Sequence, residues 1–279
     1  MKELYDEWSA GCSEQATKKY STSFSTAVST LGPDIRADVY NVYGFVRLAD
    51  EIVDSFHGFD KELLLNEFER DLYLSLERKI SMNPILNSFQ HTVEKYNIPL
   101  EQIEAFLKSM RADLEQKTYE SIEAYHDYIY GSADVVGLMC LKIFVRGDES
   151  AYESLVGPAQ RLGSAFQKVN FLRDFKNDTQ GLERSYFPNL DAGQLTEKAK
   201  KDIIADIESD FEAALIGIKR LPKDARFAVY VAYRYYQQLL KKLASAGVER
   251  IAAGRIRVSD PMKVLVFGTS WLRHRVNAL

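Results

Sequence analysis

The sequence predicts an all-α protein, a helical bundle, from three observations. Apolar residues recur at helical spacing along most of the 279 positions. Seven prolines, at positions 33, 84, 99, 158, 188, 222 and 261, fall between those stretches and punctuate them. Alternating runs flanked by turn pairs, the mark of strands, are scarce.

In chain order, helices are predicted near residues 34–56, 61–80, 84–96, 99–117, 121–146, 150–178, 194–220, 223–246 and 260–276. The 34–56 segment is apolar nearly all round near its end, through Phe45, Val46, Leu48, Ala49, Ile52 and Val53, so it belongs inside the protein. In 61–80, Leu64, Leu65, Phe68, Leu72 and Leu76 form one stripe while Glu67, Glu69, Arg70 and Asp71 face away, the pattern of a surface helix. The 194–220 segment reads the same way, with Lys198, Lys200, Lys201, Glu208 and Glu212 outside and Ile203, Ile207, Phe211 and Leu215 as its core stripe. Residues 185–193, with Pro188 and Gly193, read as the longest loop. No repeat or low-complexity linker appears, so residues 1–279 read as a single domain.

Composition narrows the functional classes. Hydrophobic residues make up 46% and charged residues 27%, ordinary values for a globular protein. The 36 basic and 40 acidic residues give a net charge of -4 without a basic run, so no nucleic-acid partner is expected. Cys12 and Cys140 show neither paired nor metal-ligand spacing, and a reducing, cytoplasmic setting fits them. Glu3, Asp6 and Glu7 give the N-terminus the wrong polarity for a secretory signal. The longest apolar run, 135–145, is interrupted by Lys142 and falls short of the roughly 20 residues a spanning helix needs. A basic cluster of Arg250, Arg255, Arg257, Lys263, Arg273 and Arg275 suggests peripheral contact with an anionic membrane surface.

Two carboxylate pairs carry the chemistry. Asp50 and Asp54 stand four apart on one predicted helix, and Asp174 and Asp178 on another, so each pair shares a face. At roughly 100° per residue, Tyr43, Arg47, Asp50 and Asp54 fall within an arc of about 60°, and Gln167, Asn170, Asp174 and Asp178 within about 80°. Two polar stripes thus run through apolar helices. Buried carboxylates persist only where metal, ligand or cationic partners compensate them, and Mg²⁺ is held by one or two carboxylates plus phosphate oxygens. The same spacing recurs at Asp34/Asp38 and at Asp202, Asp206 and Asp210, where the polar setting reads as a solvated helix face.

At these residues the sequence resembles the squalene and phytoene synthase family. The resemblance begins with Tyr20-Ser21-Thr22-Ser23-Phe24 and continues through Tyr43-Gly44-Phe45-Val46-Arg47 into Asp50 and Asp54. It then takes in Tyr130, Val136-Gly137, Gln167, Asn170, Arg173-Asp174, Asp178 and Tyr186-Phe187-Pro188. Position 51 is Glu where many relatives have Asp, and Gly131-Ser132-Ala133-Asp134 replaces a small, apolar run.

The resemblance implies an isoprenoid-synthase-type bundle in which Asp50, Asp54, Asp174 and Asp178, with Asn170, bind Mg²⁺, with Mn²⁺ as a substitute. By the same resemblance Ser21, Phe24, Arg47, Gln167, Asn170, Arg173 and Arg255 bind the substrate, with Ser21, Arg47 and Arg173 on its phosphate oxygens, and Tyr43, Tyr130, Tyr186 and Tyr236 line or close the chamber. The implied reaction is head-to-head condensation of two geranylgeranyl diphosphates to phytoene through a cyclopropylcarbinyl diphosphate, without NADPH. Dehydrosqualene or squalene formation from farnesyl diphosphate is the alternative, and a catalytically silent lipid-binding scaffold is the non-enzymatic one. A terpene cyclase is disfavoured, because Gly181 and Ser185 stand where its NDxxSxxxE motif needs Ser/Thr and Glu.

Overall fold

The computed structural model describes residues 1–115, 118–119, 121–182, 184–188, 190 and 194–275. Among these the chain forms α1 (Lys2–Tyr20), α2 (Thr22–Val28), α3 (Pro33–Ser55), α4 (Lys61–Arg78), α5 (Pro84–Tyr96), α6 (Leu100–Glu115) and α7 (Ile122–Ile129). There follow α8 (Val135–Phe144), α9 (Glu149–Glu153), α10 (Val156–Lys176), α11 (Glu197–Arg220), α12 (Lys223–Ser245), α13 (Val248–Ala253) and α14 (Asp260–Arg275). Two π-helical turns, Tyr130–Asp134 and Asn177–Gly181, join α7 to α8 and extend α10. The all-α prediction holds. The ends of the predicted 99–117 and 260–276 helices, and part of the predicted 185–193 loop including Gly193, lie outside the described residues.

The rotation of α3 is set by its apolar side. Phe45 is fully buried and stacks face to face on Phe89 at 4.0 Å, between Phe68 and Phe106. That cluster fixes one side of α3 against α4, α5 and α6. Tyr43, two residues away and so on the opposite side, is thereby turned inward to a cavity. A second apolar cluster, built on Val169, Leu172, Ile207, Phe211, Leu240 and Leu243, holds α10 against α11 and α12. The cavity lies between the two clusters.

Several elements depart from the sequence expectation. Helix α1 was not legible because its buried face is Ser9, Ser13 and Thr17 rather than an apolar stripe. Ser9 and Thr17 donate to the carbonyls of Tyr5 and Ser13 at 2.8 and 2.9 Å, and the hydroxyls of Ser13 and Ser88 meet at 2.8 Å. Small hydroxyl residues thus let α1 approach α3 closely, and a Cβ on Gly44 would lie 2.7 Å from Ser13 Oγ. The 150–178 stretch is two helices, and Pro158 lies inside the first turn of α10 rather than between helices. A proline is tolerated there because a first-turn N–H has no intrahelical acceptor.

Of the look-alike aspartates, Asp34, Asp202 and Asp206 are exposed as predicted, whereas Asp38 and Asp210 are not. Asp38 is buried and accepts from Thr92, Lys95 and Tyr96 at 3.2, 2.7 and 2.8 Å. Asp210 is fully buried and accepts from Arg161 at 2.8 Å and Lys168 at 2.7 Å. Lys200, predicted to face outward, is buried with its ammonium on the Ala246 carbonyl at 2.6 Å. Each carries its own counter-charge or acceptor, a tertiary partner that helical spacing does not encode.

Candidate active site

The cavity has a volume of about 930 Å³ and two chemically distinct ends. Phe106, Met110, Val136, Cys140, Phe144, Leu155, Leu162, Ile218 and Leu221 make the apolar part. At the polar end α3 contributes Tyr43, Arg47, Asp50 and Asp54, and α10 contributes Gln167, Asn170, Arg173 and Asp174. Asp178 joins them from the second π turn, Ser21 from the N-cap of α2, Phe24 from α2, Tyr236 from α12, and Tyr186 and Arg255 from irregular segments. The structure therefore brings every predicted site residue to one cavity, with one exception.

That exception is Tyr130, which is 40% exposed and lies outside the cavity wall. The residues of this segment that face inward are Tyr128, Ser132, Ala133, Val136 and Gly137. Tyr128, Ser132 and Val136 recur at a helical interval, and Tyr130 stands about 200° round from Tyr128 at 100° per residue. The expectation that Tyr130 lines the chamber is corrected, and Tyr128 takes that place. The π turn sits tightly here: a Cβ on Gly131 would lie 2.1 Å from Ser109 Oγ, and one on Gly163 would lie 2.9 Å from the Ala133 carbonyl. Asp134 points away from the cavity, accepts from Ser164 at 2.9 Å, and is pushed up to about 7 by burial.

The carboxylates are compensated by arginines. Arg47 pairs with Asp50 and with Glu51 one turn on, and its guanidinium lies 4.2 Å over the Tyr20 ring. The Glu51 variation thus supplies a second carboxylate to the same arginine. Arg173 binds its neighbour Asp174 at 2.5 Å, and Arg255 reaches the same carboxylate at 3.0 Å. Burial, reinforced by the Asp54 charge, pushes Asp50 up to about 6 against the pull of Arg47. Burial and the charges of Asp174 and Asp54 push Asp178 up to about 7, so the two pairs sense each other across the cavity.

The aromatic residues are ordered by stacking. Tyr43 stacks on Phe24 at 4.9 Å, and burial pushes its phenol up to about 12. Tyr186 stacks on Phe171 at 4.1 Å and burial raises its phenol too, while Tyr236 stacks on Phe166 at 4.0 Å and donates to Asn170 Oδ1 at 3.2 Å. All three present rings to the cavity.

Sequence reasoning missed Asp113 and Arg184. Arg184 is buried, binds Asp54 at 2.8 Å, donates to the Asp113 carbonyl at 2.8 Å and touches the Tyr186 hydroxyl at 3.4 Å. Asp113 accepts from Tyr128 at 2.8 Å, and burial pushes it up to about 7 against the pull of Arg184. Asp113 continues the buried stripe of Phe106 and Met110 on α6, so the criterion that picked out Asp50 applies to it as well. Arg184 lies in irregular backbone and carried no periodic signal.

Whether this donor set suits Mg²⁺ follows from its chemistry. Among the described residues no three carboxylate, histidine or cysteine side chains converge on one point, so there is no all-protein cage. Mg²⁺ does not ask for one, since it retains waters and binds through one or two carboxylates together with substrate phosphates. Two carboxylate pairs facing across a cavity, each held by arginine rather than hydrophobic packing, fit that mode.

Comparison with known proteins agrees with the geometry. The squalene/phytoene synthase family model matches residues 17–261. Phytoene synthase 1 of Solanum lycopersicum is 25% identical over 99% of this chain and 69% of its own length, and 15-cis-phytoene synthase of a Paracoccus strain is 23% identical over 92% and 88%. In three dimensions a dehydrosqualene synthase superposes with a TM-score of 0.82 at 23% identity, covering 98% of this chain and 99% of that one. A squalene synthase of Alicyclobacillus acidocaldarius gives 0.74 at 20% identity, covering 91% and 97%. With the family model spanning most of the length and the aspartate pairs facing one cavity, the chain belongs to the squalene/phytoene synthase family.

Proposed function

We propose that this protein, acting as a single prenyltransferase domain, joins two geranylgeranyl diphosphates head to head to give phytoene, with Mg²⁺ and without NADPH. The observation that carries the proposal is the pairing, within one cavity of about 930 Å³, of an arginine-rich, four-aspartate end with an apolar chamber. The first supports ionisation of a diphosphate, and the second the handling of two prenyl chains away from water. Asp50, Asp54, Asp174 and Asp178, with Asn170, would hold Mg²⁺, which neutralises charge on the leaving diphosphate. Ser21, Gln167, Arg47, Arg173 and Arg255 orient the phosphate oxygens and stabilise the same charge.

In the first half-reaction the C1–O bond of one donor breaks and its electrons leave with diphosphate. The allylic cation is attacked by the C2–C3 double bond of the second molecule, and loss of a proton closes a cyclopropane. The second ionisation and rearrangement end with loss of another proton, so no reductant enters. Tyr43, Tyr186 and Tyr236 place their rings beside the cation, where the π faces stabilise it, and a phenol oxygen or the released diphosphate accepts the proton.

Product mass after separate incubation with farnesyl and geranylgeranyl diphosphate, each with and without NADPH, tests the assignment. Phytoene from the longer substrate, unchanged by NADPH, is expected. A thirty-carbon product formed in preference, or squalene only when NADPH is supplied, would move the assignment to a dehydrosqualene or squalene synthase. No product from either substrate would favour a silent scaffold.

No helix among the described residues is long and apolar enough to cross a membrane. We further propose a cytoplasmic enzyme that rests peripherally on the inner membrane face through α14. Val264, Leu265, Trp271 and Leu272 are exposed along one side of that helix, and Lys263, Arg273 and Arg275 flank them. Cosedimentation with anionic vesicles that falls with salt is expected, and binding indifferent to both would dispose of the idea.

A further inference from the structure

Arg184 joins the first aspartate pair to a different wall of the cavity through hydrogen bonds. One guanidinium nitrogen binds Asp54 Oδ1 at 2.8 Å on α3, and the other donates to the Asp113 carbonyl at 2.8 Å on α6. The Asp113 carboxylate lies 3.7 Å from the first nitrogen through a buried oxygen that has no hydrogen-bond partner, and its other oxygen is held by Tyr128. The Tyr186 hydroxyl touches the same guanidinium at 3.4 Å. Arg184 is 6% exposed, so it cannot turn to water without opening this cluster.

The other arginines at this end are more exposed and bound differently. Arg47 is anchored within α3 and Arg255 is about half exposed. Arg184 instead has a fork whose two prongs are fixed to separate helices, a geometry that a planar guanidinium supplies and an ammonium does not. A carboxylate held this way is oriented, with one of its two oxygens taken by a cation. Mg²⁺ arriving at Asp54 therefore competes with a resident cation.

We propose that Arg184, anchored by Asp113, is the positioning residue of the first aspartate pair: it clamps Asp54 while the site holds no metal and yields that carboxylate when a divalent cation binds. The proposal rests on the reading of Asp54 as a metal ligand. It assigns to Asp113, which no sequence motif picked out, the role of keeping Arg184 in place once Asp54 is surrendered.

The first arm of the test is a double-mutant cycle on the metal-free protein, read as melting temperature in chelator. Arg184→Gln is expected to lower it by about 5 °C in the Asp54 background and by less than half that in Asp54→Asn. Equal losses in both backgrounds would overturn the clamp. Arg184→Lys, which keeps the charge but loses the fork, guards against a variant that fails to fold. It is expected to recover only part of the loss, and full recovery would overturn the fork geometry.

The second arm follows Mn²⁺ alone by the fall of its free-ion paramagnetic resonance signal. Arg184→Gln is expected to bind Mn²⁺ at least about fivefold more tightly than the unsubstituted protein, because the competing cation is gone. Unchanged or weaker binding would overturn the hand-over. If the unsubstituted protein and Arg184→Gln both fail to bind Mn²⁺ while the cycle couples Arg184 to Asp54, the metal reading of Asp54 falls and the hand-over with it. If the cycle shows no coupling while Mn²⁺ binds, the clamp falls and the metal reading stands.

Discussion

The aspartates that imitate the site motif make a sharp energetic test, because Asp206 and Asp210 share one lysine from very different positions. Asp210 is fully buried, whereas the Asp206 side chain is 55% exposed, and both bind Lys168, itself only 2% exposed, at 2.7 and 2.5 Å. Asp210→Ala removes the buried partner and leaves the Lys168 charge with one solvent-weakened acceptor. Breaking a buried pair costs about 3–5 kcal/mol. The lower end applies here, because Asp206 still reaches Lys168 and the 60%-exposed Arg161 can turn to water. At about 2–4 °C per kcal/mol for a chain somewhat shorter than this one, a cost near 3 kcal/mol lowers the melting temperature by roughly 6–12 °C. Asp206→Ala removes an exposed partner and should cost about 1 kcal/mol or less. Neither residue lines the cavity, so turnover well below the transition should survive both changes. The assay is thermal denaturation followed by far-ultraviolet circular dichroism. A loss for Asp210→Ala no larger than for Asp206→Ala would refute the claim that burial, rather than spacing, decides what an aspartate does on α11.

Two further outcomes follow from the site. Asp50→Asn or Asp174→Asn should lower turnover by at least about 10²-fold with the melting temperature held or raised, while Asp206→Asn leaves it near normal; equal damage from all three would remove the main support for the site assignment. For pH, Asp113, Asp134 and Asp178 are raised to about 7 and Asp50 to about 6 in the fold, against about 4 for an ordinary aspartate. Between pH 4 and 7 the folded state then holds more protons than the unfolded chain, so their contribution is fully present at low pH and is lost as pH rises through 6 and 7. The metal-free protein should melt higher at pH 5.5 than at pH 8, and Asp134→Asn should flatten part of that slope; a melting temperature that only rises with pH would contradict the direction of these shifts.

Much of the fold was legible because most of its helices bury apolar stripes. Periodicity located α4, α5, α6, α11, α12 and α14, and the apolar residues on nearly every side of the end of α3 correctly put that helix inside. The aspartate pairs stood out for the same reason: a charge on an otherwise apolar helix needs a partner, and the cavity is where the partners are. Helix α1 was hidden because hydroxyls, paired to backbone and to Ser88, replaced the expected apolar stripe.

The sequence by itself determined the helices that carry an apolar stripe, the faces those stripes occupy and the aspartates that interrupt them, since these depend on side chains a few residues apart on one element. Only the tertiary structure decided which charge meets which. It turned Tyr130 outward and Tyr128 inward. It gave Asp38 and Asp210 buried partners 54 and 42 or more positions away. It also brought Arg184 to Asp54 across 130 residues. Helical spacing fixes the direction of a side chain relative to its own axis. The identity of what waits in that direction is set by how the helices pack, and in a low-dielectric interior that identity decides whether a carboxylate is structural or free to work.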